Sequence, residues 1–155
     1  MEYRIVDKQS AHDIANLTVC LTNEIVERTG IPYFEMDAAH TETLCRQFIQ
    51  QGHYTVLAAI DQGRIVGFGA LCESHSLYAE GSFGILQEFY VLPDYRSQFV
   101  GRTLLEHIVE FAKSQKWVRL ELCTPPIPAF DQTVAFYKDN GFEITGGYKM
   151  RYLVT

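Results

Sequence analysis

The order of hydrophobic periods predicts an α/β domain on a mixed, mostly antiparallel sheet of about seven strands, flanked by about four helices. Three observations carry that prediction. Residues 85–123 run strand, helix, strand at the length of one βαβ unit. Residues 55–72 form two apolar runs joined by Asp61-Gln62-Gly63-Arg64, the composition of a tight hairpin. Two amphipathic helical faces precede them, between residues 10 and 51. One domain over residues 1–155 is expected, large enough for a real core.

Taken in order, Tyr3-Arg4-Ile5-Val6 alternates as a first strand. Asp7 or Ser10 can cap the following helix, with Asp13 in its first turn. Ile14, Leu17, Leu21, Ile25 and Val26 give that helix its apolar face, and Gly30 stops it before Pro32. Residues 31–36 hold the aromatic pair Tyr33 and Phe34 without a period; the pair either packs at the core edge or serves a pocket. A second helix over 37–51 turns Leu44, Cys45 and Phe48 inward. After the hairpin, residues 75–82 read as a polar loop and Ile85 to Leu92 as a buried strand. Pro93-Asp94 ends that strand. A helix then begins between Phe99 and Gly101, burying Val100, Leu104, Leu105, Ile108, Phe111 and Ala112. Trp117 to Cys123 is the next strand. Pro125, Pro126 and Pro128 exclude regular structure after it, because proline lacks a donor and fixes φ. Asp131 is an expected N-cap for a last short helix ending at Asn140-Gly141. Residues 142–145 and 149–154 then suggest a terminal hairpin around Gly146-Gly147.

Composition narrows the function. A hydrophobic fraction of 47% fits a packed globular protein and excludes a disordered one. A net charge of −6 argues against nucleic acid as a partner and is compatible with a cationic acceptor. No signal-peptide pattern and no apolar run of about 18 residues is visible, so a cytoplasmic protein without a membrane partner is expected. Cys20, Cys45, Cys72 and Cys123 are isolated, and the five histidines show no ligand spacing. Reduced thiols and no metal are therefore expected.

The βαβ unit carries the chemistry. A helix that starts at the carboxyl end of a buried strand points unpaired N–H groups and a positive dipole end outward, which suits an anion. Arg96 beside it offers a fork of donors for phosphate oxygens, or is an ordinary solvated arginine.

From Val91 to Leu105 the residues become specific. Val91, Pro93, Arg96 and Gly101 match the strand end and the Gln/Arg-x-x-Gly-x-Gly/Ala loop of one family. Phe136-Tyr137 and Gly141-Phe142 match part of its second signature, Ala-x-x-Phe-Tyr-x-x-x-Gly-Phe. The chain resembles the GNAT superfamily of acyl-CoA-dependent N-acetyltransferases. It departs at Phe99 and Ser97, where glycines are usual, and at Phe130 and Thr133, where Asn and Ala often stand.

The resemblance implies acetyl-CoA as co-substrate, with its pyrophosphate on the backbone N–H groups from Gln98 to Thr103. The cofactor-binding residues it implies are Phe89, Tyr90, Val91, Arg96, Ser97, Gln98, Phe99, Val100, Gly101, Arg102 and Thr103. A backbone N–H on the 89–91 segment is the expected oxyanion donor, and Tyr137 the expected general acid. A phenol has an ordinary pKa near 10 and so holds a proton to give at neutral pH; alternatively, Tyr137 only packs. Glu88 is the candidate base, since a charge inside an apolar strand needs a reason; a structural ion pair is the other reason, and a water held by Gln87 is the alternative base. Strict alternation places Leu86, Glu88 and Tyr90 on one face and Gln87, Phe89 and Val91 on the other. Tyr33, Phe34, Glu73, His75 and Glu80 are candidates for the acceptor pocket. The acceptor is expected to be a primary amine of a small molecule or protein, with a homodimer left open. The competing reading is a degenerate acyl-CoA-binding sensor or assembly subunit, favoured by Ser97, Phe99 and Phe130. Phe99 is expected in right-handed helical space, its ring in the helix–sheet core or along the cofactor's flank.

Overall fold

A computed structural model describes residues 1–32 and 36–154. Among these residues, five strands form one sheet in chain order: β1 (Glu2–Val6), β2 (Thr55–Asp61), β3 (Arg64–Ser76), β4 (Gly81–Val91) and β5 (Leu120–Leu122). The first four pair antiparallel, and β5 lies parallel to β4. Helices α1 (Ala11–Thr29), α2 (Ala38–Gln50), α3 (Val100–Ser114) and α4 (Asp131–Asp139) complete the fold.

Local signals act as expected at several ends. Gly30 adopts φ 70° and its N–H bonds to the Val26 carbonyl, closing α1. Asp37 accepts from Ala39 N–H at 2.9 Å and caps α2. Asp7 instead caps a 3-10 turn, Lys8–Ser10, that leads into α1. Phe130, not Asp131, holds the cap position of α4, leaving Asp131 as an acid in the first turn.

The core has two layers, one on each face of the sheet. Ile14, Leu17, Val56, Ala58, Phe68 and Tyr90 pack between the sheet and α1/α2. Leu57, Leu71, Leu86, Leu104, Leu105 and Ile108 pack between the sheet and α3. Each such side chain contributes about 1.5–3 kcal/mol of burial. The approach of α3 is close: a Cβ on Gly69 of β3 would fall 2.5 Å from Ile108 Cδ1.

Three expectations change. The 75–82 segment is not a loop, because β3 and β4 pair out to Ser76 and Gly81. Its polar side chains hide a ribbon whose backbone bonds are satisfied strand to strand. The strand over 117–123 shortens to Leu120–Leu122. The terminal hairpin does not form: residues 142–154 contain no strand, although Gly146 and Gly147 take φ 91° and 84°. Tyr148, Met150, Tyr152 and Val154 are exposed, so no apolar face holds the two arms together. Five strands result, not about seven.

One irregularity shapes the site. The β3–β4 register runs Ala70↔Glu88 and then Leu71↔Leu86, so Gln87 is an extra residue, a β-bulge. The two-residue alternation breaks there. Leu86 therefore joins Phe89 and Val91 on the α3 side, while Glu88 and Tyr90 face α1 and α2. Beyond the bulge β4 has no strand neighbour on its β5 edge among the described residues, because that pairing covers only Gly84 to Leu86.

Candidate active site

The unpaired end of β4 opens into a cleft of about 1270 Å³. Its walls are α1, the start of α3, the proline-rich stretch after β5, α4 and residues 149–151. Glu88, Phe89, Tyr90, Val91, Arg96, Ser97, Phe99, Gly101, Arg102 and Tyr137 line it, so most of the expected residues meet. Gln98, Val100 and Thr103 do not line it with side chains. Gln98 Nε2 donates to the Asp94 carbonyl at 2.7 Å, and Val100 is buried against Val91. Glu73, His75 and Glu80 lie elsewhere: Glu73 accepts from Trp117 Nε1 at 2.8 Å, and the other two flank a depression of about 420 Å³ at the β3–β4 turn. Tyr33 and Phe34 fall outside the described residues.

On the α3 side, Thr103 N–H bonds to the Phe99 carbonyl, and Phe99 holds the cap position without a side-chain cap bond. The N–H groups of the first turn are thus left without intrahelical acceptors at the cleft. Phe99 is not in right-handed space. It takes φ 62° and ψ 7°, and its ring is 72% exposed at the cleft. Ser97 also has positive φ, 63°. The loop therefore keeps a glycine-like backbone path with ordinary L-residues, at a cost of roughly 1–2 kcal/mol each. Expecting helical space for Phe99 overlooked that the turn before a helix sets its own φ. At Gly101 a Cβ would meet the Phe136 ring at 3.5 Å and Val91 Cγ2 at 3.7 Å, both ordinary contacts. The protein's own packing does not demand glycine there, and Gly101 lines the cleft.

Arg96 is anchored. Its Nε donates to the Val91 carbonyl at 2.9 Å, its Nη2 lies 3.0 Å from Glu24 Oε1, and its guanidinium stands 5.3 Å from the Tyr90 ring centroid. Glu24 also pairs with Arg28 at 3.8 Å, and Arg28 covers the Phe130 ring at 3.9 Å. These contacts tie α1 to the end of β4 and to the segment before α4. No single stretch of sequence announces them, since Glu24 and Arg96 are 72 positions apart.

Tyr137 is buried at the junction of α4 and β4, edge-on to Phe89, Phe136 and Phe142. Burial pushes its phenol well above the usual range, so it stays protonated. Its hydroxyl has no hydrogen-bond partner among the described residues, although it borders the cleft.

Glu88 supplies the opposite chemistry. It has no ion-pair partner among the described residues; Tyr54 donates to its Oε1 at 3.2 Å, and its buried Oε2 has no partner at all. Burial pushes the carboxyl up, partly offset by the Tyr54 bond. A buried carboxylate left half-satisfied is uncommon and is a feature of functional sites more often than of packing. Gln87 is turned instead to Cys72 Sγ, at 3.2 Å.

Residues 52–144 match the family described as the acetyltransferase (GNAT) domain. The chain belongs to the GNAT acetyltransferase family. GNAT enzymes use acetyl-CoA as their co-substrate. The free first-turn amides of α3, the positive-φ loop before it and the unpaired edge of β4 fit that role. The chain is 27% identical over 139 residues to a peptidyl-lysine N-acetyltransferase, YjaB, of Salmonella typhimurium, covering 90% of this chain and 83% of that one. Its fold is similar to a ribosomal-protein-alanine N-acetyltransferase from Brucella melitensis, with TM-score 0.71, 17% identity and coverage of 98% and 100%. An aminoglycoside acetyltransferase from an uncultured soil metagenomic sample is similar too, with TM-score 0.73, 14% identity and coverage of 99% and 95%. Among the described residues no His/Cys/Asp/Glu group could hold a metal ion, and no helix is long and apolar enough to cross a membrane.

Proposed function

We propose that this GNAT acetyltransferase moves an acetyl group from acetyl-CoA to a primary amine by direct attack, with Glu88 as base and Tyr137 as acid. The observation that supports it is the pair of groups that meet in one cleft: a buried carboxylate oxygen without a partner on one wall and the protonated phenol of Tyr137 on the other. Glu88 takes a proton from the acceptor ammonium, freeing the nitrogen lone pair. That nitrogen forms a bond to the thioester carbonyl carbon, whose oxygen gathers charge. Backbone N–H groups on the unpaired edge of β4, between Phe89 and Val91, are suited to receive it. The C–S bond then breaks, Tyr137 gives its proton to the departing sulfur, and the acetylated nitrogen gives up its extra proton, which restores the phenol and leaves a neutral amide and a free thiol. A phenol is a weaker acid than a thiol, so its proton moves with bond cleavage and not before it. The first-turn amides of α3 would hold the pyrophosphate. Arg96 would hold the loop and turn Nη1, which makes no bond among the described residues, to the phosphates.

The approach to Glu88 favours an amine on an apolar stem. Leu21, Ile25 and Met36 line that part of the cleft, with Thr18 and Thr22 the uncharged polar groups on α1. A lysine side chain has this shape, and the Salmonella relative is named for peptidyl-lysine. Thiol release from acetyl-CoA, measured across small alkyl amines, aminoglycosides and lysine peptides, tests the reading. Release with alkyl amines or lysine peptides is expected, with one acetyl added to the acceptor by mass. Acetyl-CoA binding without thiol release on any amine would replace it with the sensor or assembly reading.

A further inference from the structure

We infer that Tyr54 is a positioning residue: its hydroxyl holds one oxygen of Glu88 so that the other is presented to the acceptor amine. The inference rests on the reading of Glu88 as base. Tyr54 stands at the corner between α2 and β2, far in sequence from the acetyltransferase motifs. The corner holds it firmly. Its N–H bonds to the Phe48 carbonyl at 3.1 Å, and its ring packs on the Phe48 ring with centroids 5.2 Å apart. From there its hydroxyl reaches Glu88 Oε1 at 3.2 Å. A carboxylate on a two-bond stem can rotate about its last torsion, which is broad and soft. Binding one oxygen to a fixed phenol removes that freedom and leaves Oε2 buried and without a partner. A bond needed only for stability would not require the second oxygen to stay unsatisfied.

The surroundings leave Tyr54 alone in this role. Among the described residues the titratable groups on this face are Tyr54, Tyr90 and the Cys45 thiol of α2, which burial pushes up to about 11; burial raises the two phenols as well, so all three are neutral at physiological pH. From β3 the residue opposite Glu88 is Ala70. From α1 the carboxylate of Glu24 is paired with Arg96, while Thr18, Leu21 and Thr22 carry no charge. Tyr54 is thus the one described side chain that donates to Glu88.

The test is Tyr54→Phe, which removes one hydroxyl and keeps the ring. Its bond favours the ionised carboxylate, so its loss raises the Glu88 pKa. The acid limb of the kcat/KM profile for the amine should therefore move to higher pH by about half a unit to one unit. At neutral pH kcat/KM should fall by about tenfold, with KM for acetyl-CoA unchanged. The limb's position does not depend on the fraction of enzyme folded, so a less stable variant still decides. In a Glu88→Gln background, Tyr54→Phe should cost nothing further. An unmoved acid limb in Tyr54→Phe, or an equal loss in both backgrounds, would make Tyr54 a packing residue and leave the proposed chemistry standing. Full activity in Glu88→Gln alone would instead remove Glu88 as base, and this inference with it.

Discussion

The two walls of the cleft are made differently. The α3/α4 wall works through backbone: free first-turn N–H groups, a loop with positive φ at Ser97 and Phe99, and the unpaired edge of β4. The α1/α2 wall works through side chains brought from afar, with Glu88 held by Tyr54 from 34 positions away and Glu24 paired to Arg96 from 72. The bulge at Gln87 lies where they meet, placing Leu86 on the Phe89 side and Glu88 on the other. A backbone site tolerates unusual side chains, since Phe99 and Ser97 can follow the path of the missing glycines. The side-chain wall, by contrast, rests on one carboxylate with one donor among the described residues.

Substitutions that remove one wall's chemistry test this contrast most strongly. Tyr137→Phe should lower kcat by about 10²–10³-fold, the scale of a lost general acid, while KM for acetyl-CoA changes little. Steady-state kinetics decides, and near-normal turnover would return Tyr137 to a packing role.

Glu88→Gln should lower kcat/KM for the amine by about 10²-fold. The wild-type activity should fall as pH drops through the raised pKa of Glu88, because only the ionised carboxylate is a base. Stability runs the other way. A carboxyl whose folded pKa is raised contributes stability that is fully present below its unfolded pKa, about 4.3, and lost as pH rises through the folded value. Glu88→Gln should therefore melt higher than wild type at neutral pH, with the gap closing in acid. Thermal unfolding across pH would show it, and equal melting points at neutral pH would contradict a burial-driven shift.

Arg96→Ala sits where the two walls join. Calorimetry should find acetyl-CoA affinity weakened by roughly 1–3 kcal/mol, the scale of charged hydrogen bonds. Unchanged affinity would confine Arg96 to bracing Glu24 and Val91. The smallest effect is expected at Phe99. Phe99→Gly should leave acetyl-CoA affinity within about tenfold, or ~1.4 kcal/mol. With its ring exposed and its φ positive, the substitution should leave stability unchanged or raise it by up to about 1 kcal/mol. A marked loss of stability would mean the ring packs in solution.

Much of the fold was legible because its signals are local. Asp37 and Gly30 bound α2 and α1 through bonds to neighbouring residues, and the apolar face of α3 is written at helical spacing. The acetyltransferase motifs were legible for the same reason, since an anion site on a helix start is made by consecutive residues. The polar β3–β4 ribbon was not, because hydropathy is silent where backbone pairing proceeds without an apolar face. The tail after Phe142 shows the converse, an alternating pattern that finds no surface to bury against.

By itself, then, the sequence determined the α/β class, the ends of α1 and α2, the family and most of the residues that border the cleft. Tertiary structure alone decided that Gln87 is a bulge, that Glu88 faces α1 and α2 apart from Leu86, and that Tyr54 reaches it. Register is a property of paired strands, and one extra residue reverses every side chain beyond it. That reversal put a carboxylate on one wall of the cleft and left the phenol of Tyr137 on the other.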